Sequence, residues 1–515
     1  MFRKIKMAEK AKHNNKQQKG DVLMVCLGVD IGGTGCKCVA FRDDGMQLAL
    51  RYLEFPNPPG KVDLSSDVLR ESVFRVIEQC VSDLADPKEV AAITVSSFGE
   101  SFVPVDRQGA PLTDVILYFA NSESAEFDAV VEKVGADQIM EITRTLPDAS
   151  YSLSKMLYTK HIAERPVWKY LFVASYLTFC LSGEAVCGEA LACRSLLYDV
   201  KNRAWSKYIL DIAGIDEEQL PDVRPDGVVV GTLLPHLADR FSLSRDVCIV
   251  NCCHDQIVNA LGAGVCKCGD AVDTTGTSEC ITPLFPDIPG MDFTKNNYAC
   301  IPYLDNLGYV TYAYNISGGS VVKWYRDALA AHLRQQAQEE NCSIYDLLNR
   351  TCPDKPTDLL VLPFLQGMGG TPEVNPNATG LIAGLTTKTT LPELYRAILE
   401  GLCFEMQYNL ERLSGCGIHP TRLYACGGGA QSPVWLQIKA DVWGLEIIPV
   451  KTKETGALGC AIMGFAAMTK ADSVCNLATQ FTQHGQTILP NPEHHKHYQK
   501  QYEKYCKFRE LVKLY

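Results

Sequence analysis

Residues 27–35 read Leu27-Gly28-Val29-Asp30-Ile31-Gly32-Gly33-Thr34-Gly35, and residues 271–278 read Ala271-Val272-Asp273-Thr274-Thr275-Gly276-Thr277-Ser278. Both fit D-x-x-G-T-[GS], and each begins on a short apolar strand. They lie about 240 residues apart, roughly one large lobe. The repeat predicts two similar lobes with a cleft between them. A Gly-Thr turn lets backbone N–H groups and a hydroxyl converge on an anion without side-chain obstruction. An Asp at the strand end suits a divalent cation held through water. One such loop alone reads best as a β-hairpin with a glycine turn. Two in matching lobes point to phosphate binding.

Working outward, a third glycine cluster runs Cys426-Gly427-Gly428-Gly429-Ala430-Gln431-Ser432-Pro433. It lies between the apolar residues 423–425 and a helical stretch, 434–442. A strand, glycine turn and helix in that order can lay a nucleotide against backbone; it can equally be a plain βα turn. No G-x-x-x-x-G-K-[ST] occurs, and no G-x-G-x-x-G follows a strand, so P-loop and Rossmann dinucleotide sites lack their signatures.

Elsewhere strand and helix patterns alternate. Residues 22–29 and 90–95 read as buried strands. Residues 67–84 read as a helix capped by Ser66 or Asp67, and 391–413 as a long helix with Pro392 in its first turn and Gly415 past its end. The alternation predicts an α/β architecture with largely parallel sheets. Residues 1–20, rich in Lys and Arg, read as a disordered basic tail rather than a signal peptide. The apolar run 22–29 is short and meets Asp30 at once. Residues 170–183 are too few to span a bilayer.

Composition narrows the class. The 515 residues carry 49 Lys+Arg against 60 Asp+Glu, a net charge of −11, with 46% hydrophobic residues. That disfavours global disorder and any nucleic-acid binder relying on bulk positive charge. The 22 cysteines form no C-x-x-C pair and read as reduced thiols in a cytoplasmic protein. Cys248, Cys252, Cys253, His254, Cys266 and Cys268 read as buried thiols rather than a zinc site, because no second ligand pair matches the spacing.

With these segments in view, the chain resembles the FGGY carbohydrate kinases, of the actin/hexokinase superfamily, over almost all of residues 22–480. The most specific piece is Gly380-Leu-Ile-Ala-Gly384-Leu385 followed by Glu393-Leu394-Tyr-Arg-Ala397-Ile-Leu-Glu400, which is similar to the family's second signature. Leu196-Leu197-Tyr198-Asp199 and Trp205-Ser206 resemble the xylulose-kinase branch.

The resemblance implies two ribonuclease-H-like lobes, an actin-like ATPase fold, and phosphorylation of a sugar hydroxyl by ATP with Mg²⁺. The expected divisions are an N-terminal lobe over 21–267, bearing the sugar site and catalytic Asp, a nucleotide-binding C-terminal lobe over 268–485 and a helical extension over 486–515. A hinge is expected near 264–272. Asp255 falls where the family keeps its catalytic base; the plain alternative is a helix-capping Asp. Asp30 is expected on the metal side, and Asp273 either there or structural. Gly32, Gly33, Thr34, Gly35, Lys37, Thr275, Gly276, Thr277, Ser278, Gly319, Lys323, Gly428, Gly429, Ala430, Gln431 and Ser432 are expected around the nucleotide. Phe98, Gly99, Glu100, Asp255 and Gln256 are expected around the sugar.

Departures from the family fall on the sugar side. Phe98-Gly99-Glu100-Ser101 replaces Gln-Met-His-Gly, and Tyr118-Phe119-Ala120-Asn121 replaces Trp-Asn-Asp-x-Arg. Lys155 is kept, but Tyr158 stands where Trp is expected. Glu100, an acceptor at neutral pH, is expected to bind hydroxyls; the alternative is a surface carboxylate. The expected partner is a small sugar or polyol, with neither nucleic acid nor membrane, and a homodimer is compatible. The competing reading is a catalytically weak, sugar-responsive binding protein of the same fold.

Overall fold

The computed structural model describes residues 24–56, 64–117, 125–251, 253–471 and 473–512. The basic tail, the 118–121 segment and Cys252 lie outside the described residues.

The first sheet has the order β5-β6-β4-β1-β2-β3. Its strands are β1 (Val25–Ile31), β2 (Gly35–Arg42), β3 (Gln47–Glu54), β4 (Val90–Ser97), β5 (Val229–Thr232) and β6 (Cys248–Val250). β1, β4 and β6 run parallel; β2, β3 and β5 are antiparallel to their neighbours.

The second sheet has the order β9-β10-β8-β7-β12-β13, with β11 also pairing β8. Here β7 is Asp270–Thr275, β8 Glu279–Phe285, β9 Ile301–Pro302, β10 Tyr309–Val310, β11 Ala313–Asn315, β12 Arg422–Cys426 and β13 Glu446–Pro449. β7, β12 and β13 form the parallel part, and β8 returns antiparallel on β7. The β1–β2 hairpin therefore repeats as β7–β8, with the D-x-x-G-T residues at both turns.

Several boundaries differ from the sequence reading. The first helix, α1, is Ser66–Ser82; neither Ser66 nor Asp67 caps it, because Ser65 precedes it and the Ser66 hydroxyl donates to Thr113 O (2.7 Å). Residues 170–183 divide into the end of a strand and helix α2 (Val173–Ser182), ended by Gly183 at φ 83°. The long helix α6 (Leu391–Gly415) starts at a capping box of Thr390 and Glu393, but Gly415 is its last residue rather than the one beyond it.

Two helices join the lobes. α3 (Asp255–Ala263) follows β6, and α8 (Thr455–Thr469) follows β13 yet packs on β1, β4 and α3. Their approach is backbone to backbone: a Cβ on Gly262 would lie 1.9 Å from Thr455 O, and one on Gly459 1.9 Å from Val258 O. So a helix from the second half of the sequence completes the first lobe's core, where Ala457, Ile462 and Phe465 are buried. The C-terminal helix α10 (Pro492–Val512) is helical as expected, but is no appendage. Tyr498, Tyr502 and Tyr505 lie in the second lobe's core, and buried Arg509 pairs with buried Glu405 at 2.9 Å.

Candidate active site

The carboxyl ends of parallel strands leave strand-end groups facing outward, where ligands bind in α/β sheets. Asp30 ends on β1, Phe98-Gly99-Glu100 follows β4, and Asp255 opens α3 just after β6. A bridge between Ser97 and His254 draws the last two segments together. The residues after β4 and β6 share a 530 Å³ cavity whose lining includes Gly33, Phe98, Gly99, Glu100, Asp255, Gln256, Gly276 and Ser278. The expected sugar residues thus meet a turn from each phosphate-type loop.

Asp255 is the first helical residue of α3, not its cap; His254 stands at the cap, its Nδ1 3.2 Å from Gln256 N. Burial raises the Asp255 pKa, but His254, whose Nδ1 lies 2.8 Å away, and Gln256 more than reverse this, so it stays ionised. The buried Gln256 Oε1 has no hydrogen-bond donor among the described residues. Asp30 behaves oppositely. Burial and the Asp255 charge push it up to about 6, and Lys37 and the Ser96 hydroxyl (3.1 Å) pull it back only in part. A strained carboxylate beside a second carboxylate suits a hydrated divalent cation.

Glu100 is not a lone acceptor. It pairs with Arg194, whose guanidinium lies over the Tyr151 ring at 4.8 Å and the Tyr312 ring at 5.6 Å. Glu100 adopts φ 60°, and a Cβ on Gly99 would lie 2.9 Å from Arg194 Cγ and 2.8 Å from His254 Cδ2. Gly99 is therefore required for the pair to fit. Arg194, Tyr151, His254 and Tyr312 line the cavity; of these only His254 was weighed in the sequence, and there as a metal ligand. They come from four separate segments, so spacing carries no trace of their meeting.

The loops are matched hairpin turns: Gly32 N donates to Gly35 O (2.9 Å), and Gly276 N to Ser278 O (2.8 Å). Helix α4 (Gly319–Ala328) braces the second turn through Gly319 N to Gly276 O (2.8 Å). Thr277, Gly319 and Lys323 line an adjoining 770 Å³ cavity with Trp324 and Tyr345. Lys37 pairs with Glu454 at 2.6 Å.

Two expected ligands are otherwise engaged. Asp273 is fully buried and pairs with buried Lys439, which also lies 2.8 Å from Glu279, so its carboxylate is engaged by the protein's own ammonium. The Thr275 hydroxyl accepts from the same Lys439 at 2.5 Å, beneath Gly429. Lys439 was not singled out in the sequence; its one signal there is a lysine in the largely apolar stretch 434–442. Gly428, Gly429, Ala430 and Gln431 form a single 3₁₀ turn. Ser432 caps α7 (Pro433–Trp443) by accepting from Trp435 N (3.2 Å) and donates to Asn349 Oδ1 (2.8 Å).

Twin sheets with paired Asp/Gly-Thr hairpins across a cleft, and an ionised carboxylate within it, define a two-lobed phosphotransferase of the actin-like ATPase fold. The chain belongs to the FGGY family of carbohydrate kinases, whose N-terminal domain matches residues 25–262 and C-terminal domain residues 274–468. A gluconokinase of Bacillus licheniformis is 27% identical over 87% of this chain and 88% of its own. A xylulose kinase of Bacillus subtilis is 23% identical over 93% and 95%. The fold matches the crystal structure of gluconate kinase from Lactobacillus acidophilus, with TM-score 0.85 and 24% identity over 95% and 98% of the two chains. The protein is a carbohydrate kinase, and ATP is the donor its family implies.

Proposed function

We propose that the chain phosphorylates a neutral sugar or polyol, a ketose of the xylulose type or a close relative, with Asp255 as general base. The observation that carries this is the cavity's charge. Arg194 is neutralised by Glu100 and His254 lies against Asp255, so the described lining offers no free cation. An aldonate such as gluconate would bring a carboxylate that finds no free cation in this lining, whereas a neutral polyol would not. Glu100 and the Gln256 oxygen accept hydroxyl protons, and Arg194 donates to hydroxyl oxygens. Asp255 takes the proton of the attacking hydroxyl as the oxygen bonds to the γ-phosphorus. Backbone N–H groups of the 32–35 and 276–278 turns, with Lys37 and Lys323, hold the phosphates. Asp30 is the residue that would hold Mg²⁺ through water, and bound there the ion would neutralise the charge developing on the phosphates.

The test is ADP release with MgATP against ketoses, polyols and gluconate. A neutral substrate should be turned over well above gluconate, and Asp255→Asn should lose at least about 10²-fold in kcat. Preference for gluconate would overturn the substrate reading, and an active Asp255→Asn the assignment of the base.

A further inference from the structure

The buried stretch of α3 runs Ile257-Val258-Asn259-Ala260-Leu261-Gly262-Ala263, with one polar side chain, Asn259. A buried amide requires partners, and here they come from both halves of the molecule. Its Oδ1 accepts the hydroxyl of Thr455, the first residue of α8. Its Nδ2 donates to Thr274 Oγ1 on β7 at 2.7 Å and approaches Cys426 Sγ on β12 at 3.6 Å.

Each partner borders a part of the catalytic apparatus. Thr274 lines the cavity just before the second turn. Cys426 directly precedes the Gly427–Gly429 cluster. Thr455 lies between Glu454, which holds Lys37 at 2.6 Å, and Gly456, where a Cβ would lie 2.9 Å from Asp30 Oδ2. Asn259 itself stands one helical turn beyond Asp255, on the same side of α3. It does not line the cavity.

We infer that Asn259 is a positioning residue: its amide fixes the register between the helix bearing Asp255 and the strands bearing the nucleotide loops. Transfer requires the attacking oxygen and the γ-phosphorus to meet in line, and small displacements there are costly. The sugar contacts belong to one lobe and most phosphate contacts to the other. Loss of the strut therefore disturbs their meeting more than the binding of either. The inference rests on Asp255 acting as the base.

Asn259→Leu removes all three contacts at similar volume. It should lower kcat about tenfold while the calorimetric Kd values for sugar and for a non-hydrolysable MgATP analogue stay within about twofold. Thr455→Val should move kcat in the same direction, and Thr455→Ser, which keeps the hydroxyl, should restore it. Wild-type kcat in folded Asn259→Leu would overturn the inference, as would a loss confined to binding. If Asn259→Leu does not fold, the Thr455 pair decides, and an unchanged kcat in Thr455→Val rejects the strut. An active Asp255→Asn would instead reject the base. An inactive Asp255→Asn beside fully active Asn259→Leu and Thr455→Val would reject the strut alone.

Discussion

Lys155 shows how a single residue shapes the site without touching the chemistry. It is fully buried, and its ammonium donates to the carbonyls of Ala149 (3.3 Å), Ser150 and Tyr151 (3.1 Å), holding the turn that presents Tyr151 to Arg194. Burial pulls its pKa from 10.5 to about 8, against the raising effect of Glu100 and Asp148. Between those values the unfolded chain binds a proton that the folded chain has released. Stability through this group therefore rises with pH from about 8 to 10.5. Urea unfolding of wild type and Lys155→Met at pH 8 and pH 10 should show wild type gaining relative to the mutant. Parallel pH profiles would refute this. Lys155 was legible as a family position; the three carbonyls it serves were not, because they come from a turn whose path tertiary packing sets.

At the scale of elements, the α3–α8 crossing governs how the lobes meet. Glycine costs about 1 kcal/mol in a helix relative to alanine, so Gly459→Ala would ordinarily help. Here the added methyl would lie 1.9 Å from Val258 O, a backbone atom that cannot step aside alone. We expect net destabilisation of about 1–3 kcal/mol, read as a lower urea midpoint. A midpoint equal to or above wild type would show that the helices part without cost. The helical character of 455–469 is local; its packing on β1 and β4 joins residues about 370 to 430 positions apart.

For the whole molecule, the cavity is lined from both sides by Gly33 of one lobe and Gly276 and Ser278 of the other. A kinase that leaves such a cleft open wastes ATP on water, so closure over the ligands is expected. The chain crosses between the lobes at 264–269 and 450–454 and returns near 482–488, so the hinge expected near 264–272 corresponds to the first of three passages. Solution scattering should show a smaller radius of gyration with sugar and an ATP analogue together than without them. Superimposable profiles would exclude closure.

The sequence by itself determined the two-lobed α/β plan, the paired Asp/Gly-Thr hairpins and the family. These depend on short-range pattern: apolar strand runs, glycine turns and a repeat that keeps its register. The tertiary structure alone decided that Glu100 is paired with Arg194 and that Lys439 engages Asp273 and Thr275. It also decided that α8 belongs to the first lobe and α10 to the second lobe's core. A buried charge must find a partner, and which partner it finds depends on groups brought together through space from segments with no regular spacing along the chain.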